Sequence, residues 1–175
     1  MKSIIIRGPL GIGKSTVAKA VAARIESLYI SVDQILMKNK LDRTSDGEGI
    51  PLANFLKANE VILEEARQAH ASGQPVVIDG NFYHQEQLEQ LFHALGDEAV
   101  VITLRASVET CLVRDAAREK PYGEDPTRVV HMFVSRFDYG TIIDTENQTI
   151  DETIQTVINV IRKSRDQTTG DLTTQ

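Results

Sequence analysis

Cysteine is almost absent from this 175-residue chain. Cys111 stands alone, which excludes an intramolecular disulfide and any zinc site built on several cysteines. In the helix-like run Val108-Glu109-Thr110-Cys111-Leu112-Val113 it reads as a buried, inert thiol rather than a nucleophile. No apolar run approaches membrane-spanning length, and Ile4-Ile5-Ile6 is too short for the core of a secretory leader. The expectation is therefore a soluble cytoplasmic protein with no membrane contact. Basic excess is missing too: 25 acidic against 19 basic residues give a net charge of −6, which argues against a general nucleic-acid surface while leaving a local basic groove open. Repeats and low-complexity linkers are lacking, so residues 1–165 read as one domain. The polar tail Asp166–Gln175, rich in Thr and Gln, is expected to be disordered.

What is present is a complete G-x-x-x-x-G-K-S phosphate loop, Gly8-Pro9-Leu10-Gly11-Ile12-Gly13-Lys14-Ser15. It follows the apolar run Ile4-Ile5-Ile6 and opens into Thr16-Val17-Ala18-Lys19-Ala20, which has helical composition. Glycine removes the Cβ that would keep the backbone from a phosphate, and successive N–H groups then form an anion nest beside a helix N-terminus. Gly8, Gly11, Ile12, Gly13, Lys14, Ser15 and Thr16 are the candidate nucleotide-binding residues. Lys14 is placed to reach the β- and γ-phosphates of ATP, and Ser15 to offer its hydroxyl to Mg²⁺.

Five β-like runs, Ser3–Arg7, Leu28–Ser31, Pro75–Asp79, Ala99–Leu104 and Thr141–Asp144, alternate with helical stretches. Val76-Val77-Ile78 and Val100-Val101-Ile102 are continuous β-branched runs, as strands buried on both faces of a parallel sheet require. Leu52, Phe55, Leu56, Asn59, Ile62, Leu63 and Ala66 follow helical spacing between Pro51 and Gly73. Further helices are expected at about 84–95, 107–119, 126–138 and 150–164. Alternation of this kind predicts an α/β doubly wound fold with right-handed crossovers. The polar segment Lys38–Gly49 is longer than a connection needs, and reads either as a lid or binding loop or as a solvated surface loop.

Ligands of open parallel sheets sit beyond the carboxyl ends of the strands, where two aspartates fall. Asp33, after Leu28-Tyr29-Ile30-Ser31-Val32, can take the proton of an acceptor hydroxyl, or can cap the helix start Asp33-Gln34-Ile35-Leu36. Asp79, after Val76-Val77-Ile78, can hold Mg²⁺ through water, or can serve the turn Asp79-Gly80-Asn81. Residues 105–136 gather Arg105, Arg114, Arg118, Lys120, Arg128 and Arg136 in an otherwise acidic chain. Arg114 and Arg118, four apart on a predicted helix, share a face; they are lid cations or a solvated face paired with Glu109, Asp115 and Glu119. His70, His93 and His131 lack metal-ligand spacing, whereas His84, in Asn81-Phe82-Tyr83-His84, lies in a candidate acceptor patch.

Over about residues 3–163 the chain resembles the P-loop kinases of the nucleoside/nucleotide kinase-like group, with an adenylate-kinase-type core. Val77-Ile78-Asp79-Gly80 is similar to the strand end where that core places its magnesium-linked aspartate. Where that core continues Phe-Pro-Arg, this chain has Asn81-Phe82-Tyr83, so the arginine that grips a monophosphate is missing from its usual place. Asp33 resembles the hydroxyl-activating base of the small hydroxyl kinases and of the polynucleotide-kinase-like AAA-type P-loop kinases. The resemblance implies a P-loop NTPase fold, a five-stranded parallel sheet with helices on both faces and a small helical lid at about 114–136. It implies that Arg114 stacks on adenine, that Arg118 reaches the phosphates, and that the Asp144–Asn147 turn touches the base. Arg136 is a further lid arginine or a surface charge.

The expected function is an ATP- and Mg²⁺-dependent kinase transferring the γ-phosphate to a hydroxyl of a small molecule, with Asp33 as base and an acceptor segment at about 33–59. The alternatives are a nucleotide kinase with a phosphate acceptor, a polynucleotide 5′-hydroxyl kinase, and a non-enzymatic nucleotide-binding switch. A phosphate acceptor is already ionised and needs cations rather than a base, so Asp33 favours the hydroxyl. A GTPase-type switch calls for Asn-Lys-x-Asp after a strand, which the chain lacks.

Overall fold

Three consecutive isoleucines build the central strand of the sheet. In the computed structural model, which describes residues 3–43 and 49–170 with side chains as far as Arg165, β1 (Ser3–Arg7) is buried throughout. It pairs in parallel with β3 (Val76–Gly80) on one side and β4 (Ala99–Arg105) on the other. The outer strands are β2 (Leu28–Ser31), beside β3, and β5 (Thr141–Asp144), beside β4. The order is β2-β3-β1-β4-β5, all parallel, which gives the expected P-loop NTPase architecture.

Side chains alternate across a strand, so β1 feeds two cores. Ile4 and Ile6 join Val77, Ile102, Leu104 and Ile143 beneath α1 (Lys14–Arg24) and α7 (Ile150–Gly170). Ile5 faces the other way, with Ile30, Val76, Ile78 and Val101, beneath α2 (Val32–Lys38), α3 (Leu52–Ala71) and α4 (Gln85–Leu95). Each fully buried aliphatic side chain contributes about 1.5–3 kcal/mol of transfer free energy, so these clusters carry most of the fold's stabilisation. On α3 the buried stripe is Phe55, Ala58, Asn59, Ile62, Ala66 and Ala69; Leu52, Leu56 and Leu63 are only partly covered. Asn59 is buried because it donates to Gln87 O (2.8 Å) and Gln90 Oε1 (2.9 Å), tying α3 to α4.

Between β4 and β5 lie α5 (Val108–Ala116) and α6 (Glu124–Val134). Both are shorter than the sequence spacing predicts, and α6 begins earlier, with Pro126 in its first turn where no amide donor is needed. Helix α7 runs to Gly170, five residues into the tail expected to be disordered; Arg165 through Thr169 contain no helix breaker. Residues 171–175, and Thr44, Ser45, Asp46, Gly47 and Glu48 of the expected lid or binding loop, lie outside the described residues. Among the described residues no helix is long and apolar enough to cross a membrane.

Candidate active site

The loop Gly8–Gly13 links the carboxyl end of β1 to α1 without a side-chain cap. The N-termini of α2 and α5 are satisfied by Ser31 and Ser107, whose hydroxyls accept from Gln34 N (3.4 Å) and Thr110 N (3.1 Å). At α1 the N-cap is Gly13, and no side chain or first-turn acid meets the free amides. Such an end, with its positive dipole, is suited to an anion. Gly11 holds φ at +76°, and a Cβ there would stand 2.1 Å from the Cys111 carbonyl oxygen, so the loop rests directly on the backbone of α5.

A cleft of about 350 Å³ opens over this loop. Its walls include Gly11, Ile12, Gly13, Lys14, Ser15 and Thr16, together with Asp33, Arg114 and Arg118, which residues far apart in sequence bring to one place. Gly8 does not line it; it packs beneath the loop against Ile12 and Leu104. Arg136 lines a separate groove with Arg105 and His131, its guanidinium 4.4 Å from the Phe133 ring. Tyr122, Gln148 and Ile150 are cleft residues that the motifs did not flag.

Lys14 is 5% exposed, and burial lowers its pKa, opposed by Asp33 and Asp79 and reinforced by Arg118. Asp33 sits in the first turn of α2 and is not its cap, a place taken by Ser31. Burial raises the Asp33 pKa, Lys14 opposes this, and Asp79 adds to it. Asp79 lies beneath the cleft rather than in its wall, buried in β3 in register with Ser31 and Ile6. Its Oδ2 has no hydrogen-bond partner among the described residues. Tyr29 lies near this aspartate: burial raises its pKa, and the Asp79 charge reinforces the rise. A signal for Tyr29 was available, since it lies two residues before Ser31 and so on the same face of β2.

Beyond Asp79 the chain turns through Phe82, whose φ of +52° is rare for a side chain of that size. This sends Tyr83 back toward Asp33. Burial pushes the Tyr83 pKa up to about 12, with Asp33 adding to the rise. Asn81 is buried and donates to the Tyr83 hydroxyl (3.5 Å), while its Oδ1 lacks a partner among the described residues. Tyr83 stacks edge-on to Phe55 (5.3 Å), which in turn meets His84 (5.7 Å).

Arg114 and Arg118, the expected lid pair, do not share a helix face, contrary to the reading from spacing. Helix α5 ends at Ala116 because Asp115, buried at its last turn, accepts from Gly123 N (2.9 Å) and folds the chain back. Arg118 therefore projects from the turn, 3.7 Å from Asp115 Oδ1 and 4.7 Å over the Tyr122 ring. Arg114 reaches the turn after β5, donating to Thr145 O (2.6 Å), Thr145 Oγ1 (3.1 Å) and Gln148 O (3.3 Å). In the same turn Glu146 accepts from Ser107 N (2.5 Å), Ser107 Oγ (2.7 Å) and Thr110 Oγ1 (2.5 Å), bonds that hold its pKa down at about 2. Asn39-Lys40-Leu41-Asp42 does spell N-K-x-D, but it ends α2: Asn39 donates through its side chain to Ile35 O (2.8 Å). Cys111 is buried, its thiol pushed up to about 11.

The family model described as an AAA domain matches residues 4–139. Over 97% of its length the fold superposes on 97% of a gluconokinase from Sinorhizobium meliloti 1021, with a TM-score of 0.78 at 17% identity. A sugar kinase from Janibacter sp. HTCC2649 covers 91% of this chain, which covers 93% of it, with a TM-score of 0.75 at 14% identity. Among curated proteins, the protein translocase subunit SecA 2 of Thermobifida fusca is 25% identical over 114 residues, 65% of this chain. The chain spans 15% of the length of that relative.

Proposed function

The chain belongs to the AAA domain family, and on that premise we propose that it is an ATP- and Mg²⁺-dependent kinase that transfers the γ-phosphoryl group to a hydroxyl of a small molecule. The observation that carries this reading is the convergence of an uncapped phosphate loop, Lys14, Asp33 and Arg118 on one cleft. Phosphoryl transfer asks a protein for positioning and for cations at the developing charge, with little covalent chemistry of its own. The loop amides and Lys14 bind the triphosphate; Arg118 adds charge at the transferring group. Arg114 flanks the base together with the 145–148 turn. Asp33, with its pKa raised by burial, draws off the proton of the acceptor hydroxyl. Tyr83, near enough for the Asp33 charge to raise its pKa, and Asn81, which donates to it, are the candidates for the acceptor side.

The Ser15 hydroxyl and the buried, unpartnered Asp79 oxygen fit a hard cation held partly through water, and these two residues would hold Mg²⁺. Held there, such an ion would neutralise part of the charge on the bound phosphates. A hydroxyl acceptor is also what the names gluconokinase and sugar kinase attach to similar folds.

The test is a transfer screen with labelled ATP and Mg²⁺ over sugars, polyols, nucleosides, nucleotides and oligonucleotides. Transfer to an uncharged hydroxyl is expected, with none from Lys14→Ala. Asp33→Asn lowers kcat by about 10²–10⁴ while ATP affinity stays within about threefold. Label arriving only on monophosphates, or equal losses in kcat and ATP affinity, would overturn the reading.

A further inference from the structure

The guanidinium of Arg7 is wholly buried at the base of the phosphate loop, one residue before Gly8. A charge in such a place is costly unless definite partners meet it. Burial lowers its pKa to about 10, opposed by Asp138, so it remains charged at neutral pH. Nη2 donates to Val134 O (2.7 Å), and Nη1 to Phe137 O (3.0 Å) and Thr103 Oγ1 (3.4 Å). The Thr103 hydroxyl itself donates to Tyr139 O (2.7 Å), and the Phe137 ring covers the guanidinium at 4.2 Å.

Val134 is the last residue of α6, so its carbonyl is one of those a helix leaves without an internal donor, at the end where a cation is favoured. Arg7 is thus the cap of α6, supplied from the strand that ends in the phosphate loop. The loop touches the same helix a second time, where Leu10 packs on Val130 and Val134. At its other end, α6 is preceded by Gly123, whose amide is held by Asp115, and Asp115 in turn faces Arg118. Eleven helical residues make a rigid strut of about 16 Å between these two attachments.

We propose that Arg7 is a positioning residue: by fixing the carboxyl end of α6 to the base of the phosphate loop, it sets, through α6, Gly123 and Asp115, where Arg118 stands over the cleft. The proposal rests on the kinase reading, both for the use made of Arg118 and for nucleotide in the loop. The link couples occupancy of the loop to the placement of the lid cation.

The experiment is hydrogen exchange of the full chain with and without Mg²⁺ and a non-hydrolysable ATP analogue, beside ATP turnover. In the wild type the analogue is expected to slow exchange in both the 8–24 and the 124–134 peptides. Arg7→Met keeps the first protection and an analogue Kd within about threefold, loses at least half of the second, and lowers ATP turnover about tenfold or more with its KM for ATP little changed. Arg7→Lys, which keeps the charge without the planar fork, falls between. Retained nucleotide-dependent protection of 124–134 in Arg7→Met, even with a lowered Tm, overturns the proposal and leaves Arg7 a merely structural residue. If Arg7→Met does not fold, a cycle of Arg7→Lys with Asp115→Asn decides. Remote, independent sites give fold-changes in turnover that multiply, and multiplication would refute the link. A wild type that binds the analogue without protecting 124–134 sinks the link alone, whereas one that fails to bind it sinks the kinase reading and the link together.

Discussion

Replacing Gly11 by alanine probes the contact on which the phosphate loop rests. Two terms add. The residue sits at φ +76°, where an L side chain costs about 1–2 kcal/mol. The new Cβ would also stand 2.1 Å from the Cys111 carbonyl oxygen, well inside the 3.0 Å below which such contacts essentially do not occur. That oxygen belongs to backbone, so loop and helix α5 must separate, an overpacking cost of about 1–3 kcal/mol. Where the strain goes decides the observable. If the loop lifts off α5, nucleotide affinity falls by about 30-fold or more, since each 1.4 kcal/mol is roughly a decade. If the fold absorbs it, Tm falls by about 4–20 °C, at roughly 2–4 °C per kcal/mol for a chain of this size. Titration with a fluorescent ATP analogue and calorimetry read the two outcomes separately. Gly73→Ala is the control: its φ is +78° but nothing lies within 4 Å of the added carbon. It bears the conformational term only, with a Tm about 2–8 °C lower and wild-type affinity. A Gly11→Ala protein indistinguishable from Gly73→Ala in both measurements would refute the loop–helix contact.

Glu146→Gln is expected to flatten the acid limb of stability. The native carboxyl is held at about 2 against an ordinary 4.5, so the unfolded chain takes up the proton first. Its stabilisation is complete above pH 4.5 and drains as pH falls toward 2; Tm measured from pH 7 to 3 should drop less steeply in Glu146→Gln, and parallel curves would count against the charged cap. Arg114→Lys loses the fork whose Nη1 donates to Thr145 Oγ1 and whose Nη2 donates to Thr145 O and Gln148 O, destabilising by about 1–3 kcal/mol and speeding amide exchange over residues 144–149; unchanged exchange there would contradict the bonding described.

The strands and the nucleotide loop were legible because their signals are local: β-branched runs, a glycine pattern, and a helix opening in the right order. Asp33 was legible from its position after a strand, and the cleft brings it beside Lys14. Misreadings came where a distant partner decides. The spacing of Arg114 and Arg118 suggested one helical face, but Asp115 engages Gly123 and stops the helix between them. Arg7 stands in the sequence only as the last residue of a β-like run, and nothing nearby announces that Val134 and Phe137 need a donor. Tyr83 reads as a member of the candidate acceptor patch, and what the sequence does not show is the left-handed residue before it and the nearness of Asp33. Asn39-Lys40-Leu41-Asp42 shows the reverse case, a short pattern emptied of meaning by the helix it terminates.

Helix α5 is gripped at both ends by one turn, with Glu146 at Ser107 and Thr110, and Arg114 on Thr145 and Gln148. Its middle carries the loop at Gly11. The stretch from Ala117 to Gly123, by contrast, is tied back chiefly through Asp115. The chain thus has a natural splice point: a longer, shorter or borrowed segment can be grafted between those residues while α5 and the base-flanking turn keep their shape. Exchange of those few residues would change what stands over the cleft at Arg118 and Tyr122, while the other walls keep their supports.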